Sequence, residues 1–137
     1  YVNQAERDLF KNYINHVVAG VNSVPGSNYA DEPIILGWEL VNEPRVGSEE
    51  VLIAWTDEMA RYLKSLDPNH LVWTGSELVV AEGSEVGVCG LETIDVCSMH
   101  LYLFNEDQAY FESMKAVKAV MKAQVAAAER FGKPVFG

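Results

Sequence analysis

The chain has 137 residues, of which 49% are hydrophobic and 22% are charged, and this composition is that of a folded domain rather than of a disordered segment. Its formal net charge is −10, so its surface field disfavours nucleic acid and anionic membranes, which attract basic patches. No apolar run in the sequence approaches the roughly 20 residues that a membrane-spanning helix needs. We therefore expect a neutral partner.

The first predicted element is an amphipathic helix over residues 2–24. Its apolar side chains recur at spacings of three and four, which is the period of one helix face: Leu9, Phe10, Tyr13, Ile14, Val17, Val18 and Val21. A Pro-Gly-Ser turn ends it. Residues 34–42 then form a short, strongly apolar run that predicts a buried strand. Pro44 stops that strand because proline cannot donate to a strand ladder.

A second helix is predicted over residues 48–66. Ser48 suits its N-cap, two glutamates suit its positive end, and the expected buried stripe is Val51, Trp55, Met59, Leu63 and Leu66. A turn at 67–69 leads into a second strand over 71–74, and we expect His70 to cap or flank that turn. Residues 75–93 contain four glycines and are expected to form a loop.

The last part of the chain predicts a strand, a helix and a further strand. Residues 94–103 alternate, with one face formed by Val96, Ser98, His100 and Tyr102 and the other by Cys97, Met99, Leu101 and Leu103. A long helix is predicted over 108–130, and its apolar face is Phe111, Met114, Val117, Met121 and Val125. Gly132 and Pro134 end it, and a fourth strand opens at 135–136.

Strands and helices therefore alternate, which predicts an α/β fold with parallel strands joined by right-handed crossovers. Two architectures fit this order, a doubly wound open sheet and part of an eight-stranded (β/α) barrel. An open-sheet nucleotide binder should have a glycine-rich turn after its first strand, and Gly83, Gly87 and Gly90 match no such fingerprint. Since a complete barrel needs roughly 250 residues, this chain predicts about half of one, a single domain truncated at both ends.

Candidate catalytic groups follow the first strand. The run Trp38-Glu39-Leu40-Val41-Asn42-Glu43-Pro44-Arg45 places an amide, a carboxylate and a guanidinium where barrel active sites lie, at the C-terminal end of a strand. A carboxyl group on an apolar floor can stay protonated near neutrality and donate its proton to a leaving group. The alternative is that Glu43 is a solvated loop acid or the ion-pair partner of Arg45.

Glycoside cleavage by two carboxylates requires a second acid besides Glu43. If the strand is regular, Glu39 cannot supply it, because four residues at about 3.3 Å each separate the two Cα atoms by about 13 Å. We therefore expect the second acid from another strand. On the third strand, His100 and Tyr102 are expected to face inward, where they could orient a carboxylate or a sugar hydroxyl.

Other chemistries find little support in the sequence. Ser76 lies in no Gly-x-Ser-x-Gly elbow, and no His-Glu-x-x-His run or ligand cluster suggests a metal, so we expect neither metal nor cofactor. The two cysteines, Cys89 and Cys97, are too few for a disulfide scaffold. They are interpreted as one buried thiol and one loop thiol or as a bridge across a short interval, and the sequence leaves both open.

Three segments resemble glycoside hydrolase family 5 in order and spacing, and among its members they are most similar to the β-1,4-mannanases. They are residues 38–45, the strand end His100-Leu101-Tyr102 and the closing Gly-Lys-Pro-Val-Phe-Gly at 132–137. Phrases before the first and second strands, at 29–35 and 66–72, are similar to the same branch. The resemblance covers essentially the whole chain and implies the part of a TIM barrel from its third helix to its seventh strand.

The resemblance also implies roles for individual residues. Glu43 matches the general acid/base, Asn42 matches the amide that holds the sugar 2-hydroxyl, and His100 and Tyr102 match a substrate-binding pair on the sixth strand. Glu77 is similar to an acid that lines the mannanase cleft. The family's nucleophile is a glutamate expected at or just after the end of this chain, so residues 1–137 are expected to be an incomplete catalytic domain that is inactive alone.

The parent protein is then expected to be a secreted, retaining enzyme that binds a neutral polysaccharide or oligosaccharide and needs no cofactor. The Asn-Glu-Pro run does not choose between mannan and cellulose. The loop at 75–93 has no aromatic residue for sugar stacking, and Leu103-Phe104-Asn105 stands where relatives often have a proline. The alternatives are a family 5 cellulase or other β-glycanase, a sugar-binding barrel without catalysis, and an unrelated open-sheet domain.

Overall fold

The computed structural model of the protein describes residues 1–24, 26–76, 87–101 and 114–137. Within these ranges each α-helix is followed by a strand, as the sequence predicts, and the second and third strands follow each other with no helix between them among the described residues. The elements are α1 (Gln4–Val18), a short 3-10 helix (Tyr29–Asp31), β1 (Gly37–Glu39), α2 (Glu49–Leu66), β2 (Leu71–Trp73), β3 (Cys97–Ser98), α3 (Met114–Glu129) and β4 (Val135–Phe136). No helix in the described ranges is both long and apolar enough to cross a bilayer.

The four strands lie side by side in chain order, and all of them are parallel. β1 pairs with β2 and β3 pairs with β4, while a parallel bridge between Trp73 and Val96 joins the two pairs. Because parallel strands point the same way, their C-terminal ends meet at one edge, and the segments that follow each strand come together there.

The first helix is shorter than the sequence predicts. α1 ends at Val18 because the chain then reverses, and Val21 pairs antiparallel with Asn28. The prediction of a helix over 2–24 is therefore wrong beyond Val18. Of the expected apolar stripe, Ile14 and Val18 are buried, whereas Leu9, Tyr13 and Val21 are exposed.

The second helix agrees with its prediction, and the strand before it does not. The Ser48 hydroxyl accepts a hydrogen bond from the Val51 amide at 3.4 Å and caps α2, whose buried face includes Trp55, Met59 and Leu63. The predicted strand over 34–42 is reduced to Gly37–Glu39 in the structure. Its expected first residue, Ile34, is 86% exposed, and the chain leaves the sheet before residue 42.

Two apolar clusters cover the outer face of the strands. The larger lies between α1, α2 and the first two strands, and its buried members are Ile14, Val18, Leu40, Trp55, Met59, Ala60, Leu63, Val72 and Ile94. The smaller is formed by Cys89, Cys97, Ala127 and Ala128. Cys89 and Cys97 are both buried and joined by a disulfide, so the bridge is the alternative that the structure contains.

The buried face of α3 differs from the predicted one. Met114, Met121 and Val125 are exposed, and the buried residues are Val117, Gln124, Ala127 and Ala128. Small alanine side chains let the helix approach the disulfide closely, which dense packing favours over larger apolar residues. Residues 108–113 of the predicted helix, including Phe111, lie outside the described residues.

The turn between α2 and β2 is built around the buried carboxylate of Asp67. It accepts hydrogen bonds from Trp38 Nε1 at 2.6 Å, from the amides of Asn69 and His70 at 2.9 and 3.1 Å, and contacts His70 Nδ1 at 2.6 Å. His70 Nε2 lies 3.0 Å from the Glu32 carbonyl oxygen. His70 therefore flanks the turn as expected, and in addition it ties β2 to the segment before β1.

Burial and hydrogen bonding shift the pKa values of Asp67 and His70 in opposite directions. Burial by itself would raise the pKa of Asp67, but the hydrogen bonds from Trp38, His70 and the turn amides lower that pKa below its ordinary value. Burial would likewise lower the pKa of His70, yet the contact with Asp67 and the Glu32 carbonyl raises it. Both shifts favour a charged pair inside the fold.

Candidate active site

The C-terminal edge of the strands gathers most of the polar residues predicted for the site. Glu39 ends β1 and Glu43 follows it, Gly75 follows β2, and His100 follows β3. Ser98 and His100 lie on the side of β3 that faces the β2 loop, where the Ser98 hydroxyl accepts a hydrogen bond from the Gly75 amide at 2.8 Å. Cys97 instead packs against α3. The predicted alternation of the third strand is confirmed for these residues.

Glu43 is held by its backbone as well as by its side chain. Its φ is 47°, in the left-handed region that residues with a Cβ rarely adopt. Its amide donates to the Gly75 carbonyl oxygen at 2.7 Å, which fixes this turn against the end of β2. The Glu43 side chain is only 19% exposed, and its Oε1 lies 3.1 Å from His100 Nδ1.

Arg45 also approaches Glu43, as the alternative interpretation of the sequence expected. Its Nη2 lies 3.9 Å from Glu43 Oε2, and the guanidinium is 70% exposed. An exposed ion pair at this distance contributes little energy. The Glu43 carboxylate therefore belongs to a charged cluster at the strand edge and is not a solvated loop acid.

Gly75 is required at its position by both conformation and space. Its φ is 66°, and a Cβ there would overlap the Val41 carbonyl oxygen and lie 2.6 Å from Glu39 Oε1. The Gly75 carbonyl receives the Glu43 amide, and the Gly75 amide donates to Ser98. This one residue therefore links the ends of β1, β2 and β3.

Glu39, which the sequence analysis excluded only as the second catalytic carboxylate, also lies at this edge. Its Oε2 accepts a hydrogen bond from Trp73 Nε1 at 2.8 Å, and its Oε1 lies 3.7 Å from His100 Nε2. The exclusion assumed a regular strand through residue 42, but β1 ends at Glu39 and the chain turns before Glu43. Both carboxylates consequently reach the same imidazole ring, which no local sequence signal predicts.

An open groove runs along the strand edge beside these groups. It is lined by Glu39, Asn42, Met99, His100, Leu101, Phe136 and Gly137. Asn42 thus lies on the same groove as His100, as the sequence predicts. Two further predicted residues, Glu77 and Tyr102, lie outside the described residues. Within the described part of the chain, no group of three or more His, Cys, Asp or Glu side chains could hold a metal ion.

A family model described as GH family 5 beta-mannosidase-like matches residues 1–135. The chain belongs to glycoside hydrolase family 5. Among curated relatives, it is 36% identical to the mannan endo-1,4-beta-mannosidase 7 of Oryza sativa subsp. japonica over an alignment of 117 residues that covers 70% of this chain and 31% of the relative. It is 45% identical over 80 residues to the putative mannan endo-1,4-beta-mannosidase 4 of Arabidopsis thaliana, which covers 56% of this chain and 20% of that relative.

Solved structures of family 5 mannanases have the same fold over nearly the whole chain. The endo-1,4-beta-mannanase from Rhizomucor miehei matches with a TM-score of 0.82 at 34% identity, covering 98% of this chain and 44% of that one. The endo-beta-1,4-mannanase from Thermotoga petrophila also gives 0.82, at 28% identity and with 98% and 34% coverage. The strands are therefore an arc of a TIM barrel, and the open-sheet alternative is wrong.

The chain spans only part of each of these proteins, between 20% and 31% of the two curated relatives and less than half of the two solved structures. A TIM-barrel active site is assembled from the ends of several strands around the barrel. The family 5 membership therefore establishes the fold, while the roles of the residues at this edge and the activity of the whole protein are matters of proposal.

Proposed function

We propose that this chain is the part of a retaining endo-β-1,4-mannanase that carries the general acid/base, Glu43. The observation that supports this most is the placement of the mostly buried Glu43 carboxylate, 3.1 Å from His100 and at the C-terminal edge of the strands. Asn42 lies on the groove along the same edge. The similarity to proteins named mannan endo-1,4-beta-mannosidases supports mannan as the substrate.

The proposed reaction is a double displacement. In the first step, a second carboxylate attacks the anomeric carbon while protonated Glu43 gives its proton to the departing glycosidic oxygen. In the second step, ionised Glu43 takes a proton from water, whose oxygen attacks the anomeric carbon and releases the carboxylate. The configuration at the anomeric carbon is inverted twice and so is retained.

We propose that the second carboxylate is a glutamate that follows Gly137 at the end of β4. This strand pairs directly with β3, which leads to His100, and Gly137 lies on the same groove as Asn42. A nucleophile there would be on a different strand from Glu43. Retaining enzymes need about 5–5.5 Å between their two carboxyl groups. Side chains from strands that are not neighbours can meet at this edge, since His100 after β3 already lies 3.1 Å from Glu43 after β1.

The remaining site residues have supporting roles in this proposal. Asn42 binds the sugar 2-hydroxyl next to the cleaved bond, an interaction that strengthens in the transition state. His100 orients the Glu43 carboxylate. Tyr102 and Glu77 are proposed to bind substrate on the strength of the family motifs alone. No cofactor is required for this chemistry.

The proposed partner is a neutral polysaccharide outside the cell. The net charge of −10 disfavours nucleic acid and anionic membranes as partners. The Cys89–Cys97 disulfide supports secretion, because such bonds persist in oxidising compartments and are rare in the cytosol.

The test compares Glu43→Gln with the wild type in the full-length protein that carries this chain. Turnover of mannan should fall by at least about 100-fold, the low end for a general acid. Glu129→Gln is the matched control, since Glu129 is exposed at the end of α3, which leads into the N-terminal end of β4, opposite to the C-terminal edge, and its substitution should leave turnover unchanged.

Four outcomes would contradict parts of the proposal. Full activity of Glu43→Gln would remove Glu43 from the acid/base role. Faster hydrolysis of cellulose than of mannan by the wild type would make the protein a family 5 cellulase. Binding of mannan without hydrolysis would indicate a sugar-binding barrel, and a product formed first as the opposite anomer, followed by NMR, would refute retention.

A further inference from the structure

We propose that Glu39 is a positioning residue that acts through His100 on the Glu43 carboxylate. This inference rests on the proposed function, because it assigns Glu39 a task in the work of the general acid/base. Glu39 and Glu43 come from the end of β1, and His100 comes from the end of β3.

The His100 ring lies between two carboxylates. Its Nδ1 is 3.1 Å from Glu43 Oε1, which is hydrogen-bond distance, and its Nε2 is 3.7 Å from Glu39 Oε1. The second distance is that of a charge contact rather than a hydrogen bond. The imidazole is only 16% exposed, so solvent screens the two carboxylates less than it would at an open surface. The orientation of the ring therefore depends on both acids.

Glu39 is held in place on its other side. Trp73 Nε1 donates to Glu39 Oε2 at 2.8 Å, and Trp73 itself is buried and packs against Phe136 at a ring-centroid distance of 5.5 Å. The absent side chain of Gly75 leaves the space that Glu39 Cγ and Oε1 occupy. A carboxylate fixed by an indole and by a glycine is a rigid support for its neighbour.

The negative charge of Glu39 favours the tautomer of His100 that carries its hydrogen on Nε2. Nδ1 of this neutral ring can then accept a hydrogen bond from protonated Glu43 and hold that carboxyl group in place for the first step. A glutamine at position 39 keeps the acceptor for Trp73 but loses this charge.

Replacing Glu39 should therefore lower kcat/KM by an amount that depends on the leaving group of the substrate. A sugar leaving group needs the proton from Glu43, whereas a 2,4-dinitrophenolate leaves without one. If Glu39 positions Glu43 through His100, Glu39→Gln should lower kcat/KM for mannan oligosaccharides by about 10-fold, a fraction of a full general-acid effect. It should leave kcat/KM for a 2,4-dinitrophenyl β-mannobioside within about 2-fold of wild type.

The experiment measures kcat/KM on both substrates for the full-length wild type, Glu39→Gln, Trp73→Phe and Glu43→Gln. Trp73→Phe removes the indole donor that fixes Glu39 while keeping an aromatic ring, so it should show the same leaving-group dependence in weaker form. If Glu39→Gln fails to fold, the result for Trp73→Phe tests the positioning role of Glu39 in its place.

The outcomes separate this inference from the proposed function. If Glu39→Gln loses activity equally on both substrates, or on neither, the positioning role is wrong, since a general structural defect does not distinguish leaving groups. If Glu43→Gln shows the leaving-group dependence and neither other variant does, only the role of Glu39 fails. If Glu43→Gln hydrolyses mannan oligosaccharides like the wild type, the proposed function itself fails.

Discussion

Replacing Cys89 and Cys97 by alanine together should destabilise the protein by an amount that follows from the loop they close. The disulfide joins residues separated by 8 in sequence. For a loop of about nine residues, the chain-entropy relation gives roughly 2.6 kcal/mol of stabilisation at 25 °C. Both cysteines are buried against Ala127 and Ala128, so the lost sulfur contacts add to this cost.

The assay is urea-induced unfolding of the wild type and of Cys89→Ala/Cys97→Ala, each with and without dithiothreitol. Reductant should lower the free energy of unfolding of the wild type by about the loop-closure amount, roughly 2–3 kcal/mol, and should not change the double variant. Peptide mapping under non-reducing conditions identifies the bond directly. A wild type that is insensitive to reductant and yields two free thiols at these positions would refute the reasoning.

Two further changes test the strand edge and the turn after α2. Gly75→Ala should lower the free energy of unfolding by more than the roughly 1–2 kcal/mol of a left-handed residue with a Cβ, because the new methyl group also overlaps the Val41 carbonyl. A thermal melt near that of the wild type would show that the turn can relax. For His70, whose pKa is raised, stability is fully present below its unfolded pKa of about 6.5 and is lost as pH rises through the folded pKa. For Asp67, whose pKa is lowered, stability is present above about pH 4 and is lost as pH falls through the folded pKa. The difference in unfolding free energy between wild type and His70→Gln should therefore be largest between about pH 4 and 6.5. A difference that stays constant from about pH 5 to 9 would mean that the pKa of His70 is the same in the folded and unfolded protein.

Helix α2 could be predicted because its signals are local. The Ser48 cap and the apolar stripe at Trp55, Met59 and Leu63 lie within a few turns of each other, and the structure uses them as expected. Alternation of helices and strands then limits the fold to a few architectures. The choice of a barrel over an open sheet depended on chain length and on the family motifs.

Packing that depends on distant residues could not be predicted in the same way. The sequence gives Met121 and Val125 the larger apolar side chains on α3, but the helix buries Ala127 and Ala128 because a disulfide from another part of the chain lies beneath it. Likewise Ile34 is apolar enough for a strand but has no partner strand among the described residues, and it is exposed. Hydrophobicity identifies which side chains can be buried, and the neighbouring elements of the fold determine which of them are buried.

The residues of the candidate site also differ in how far they could be predicted from local sequence. Asn42, Glu43 and His100 were found because short motifs carry them, and the structure gathers them at one edge. The contact between Glu39 and His100 could not be predicted, because it depends on the turn before residue 43 and on Trp73 from the next strand. A backbone conformation set by two other strands leaves no local trace in the sequence.

The left-handed backbone at Glu43 has a consequence for laboratory evolution. A residue with a Cβ in this conformation lowers the free energy of unfolding by about 1–2 kcal/mol relative to glycine. A library screened for heat tolerance alone would thus be expected to enrich Glu43→Gly, and under the proposed mechanism such winners would have lost hydrolysis. Screens on this protein should score product release alongside melting temperature, because at position 43 the substitution that raises stability would abolish hydrolysis.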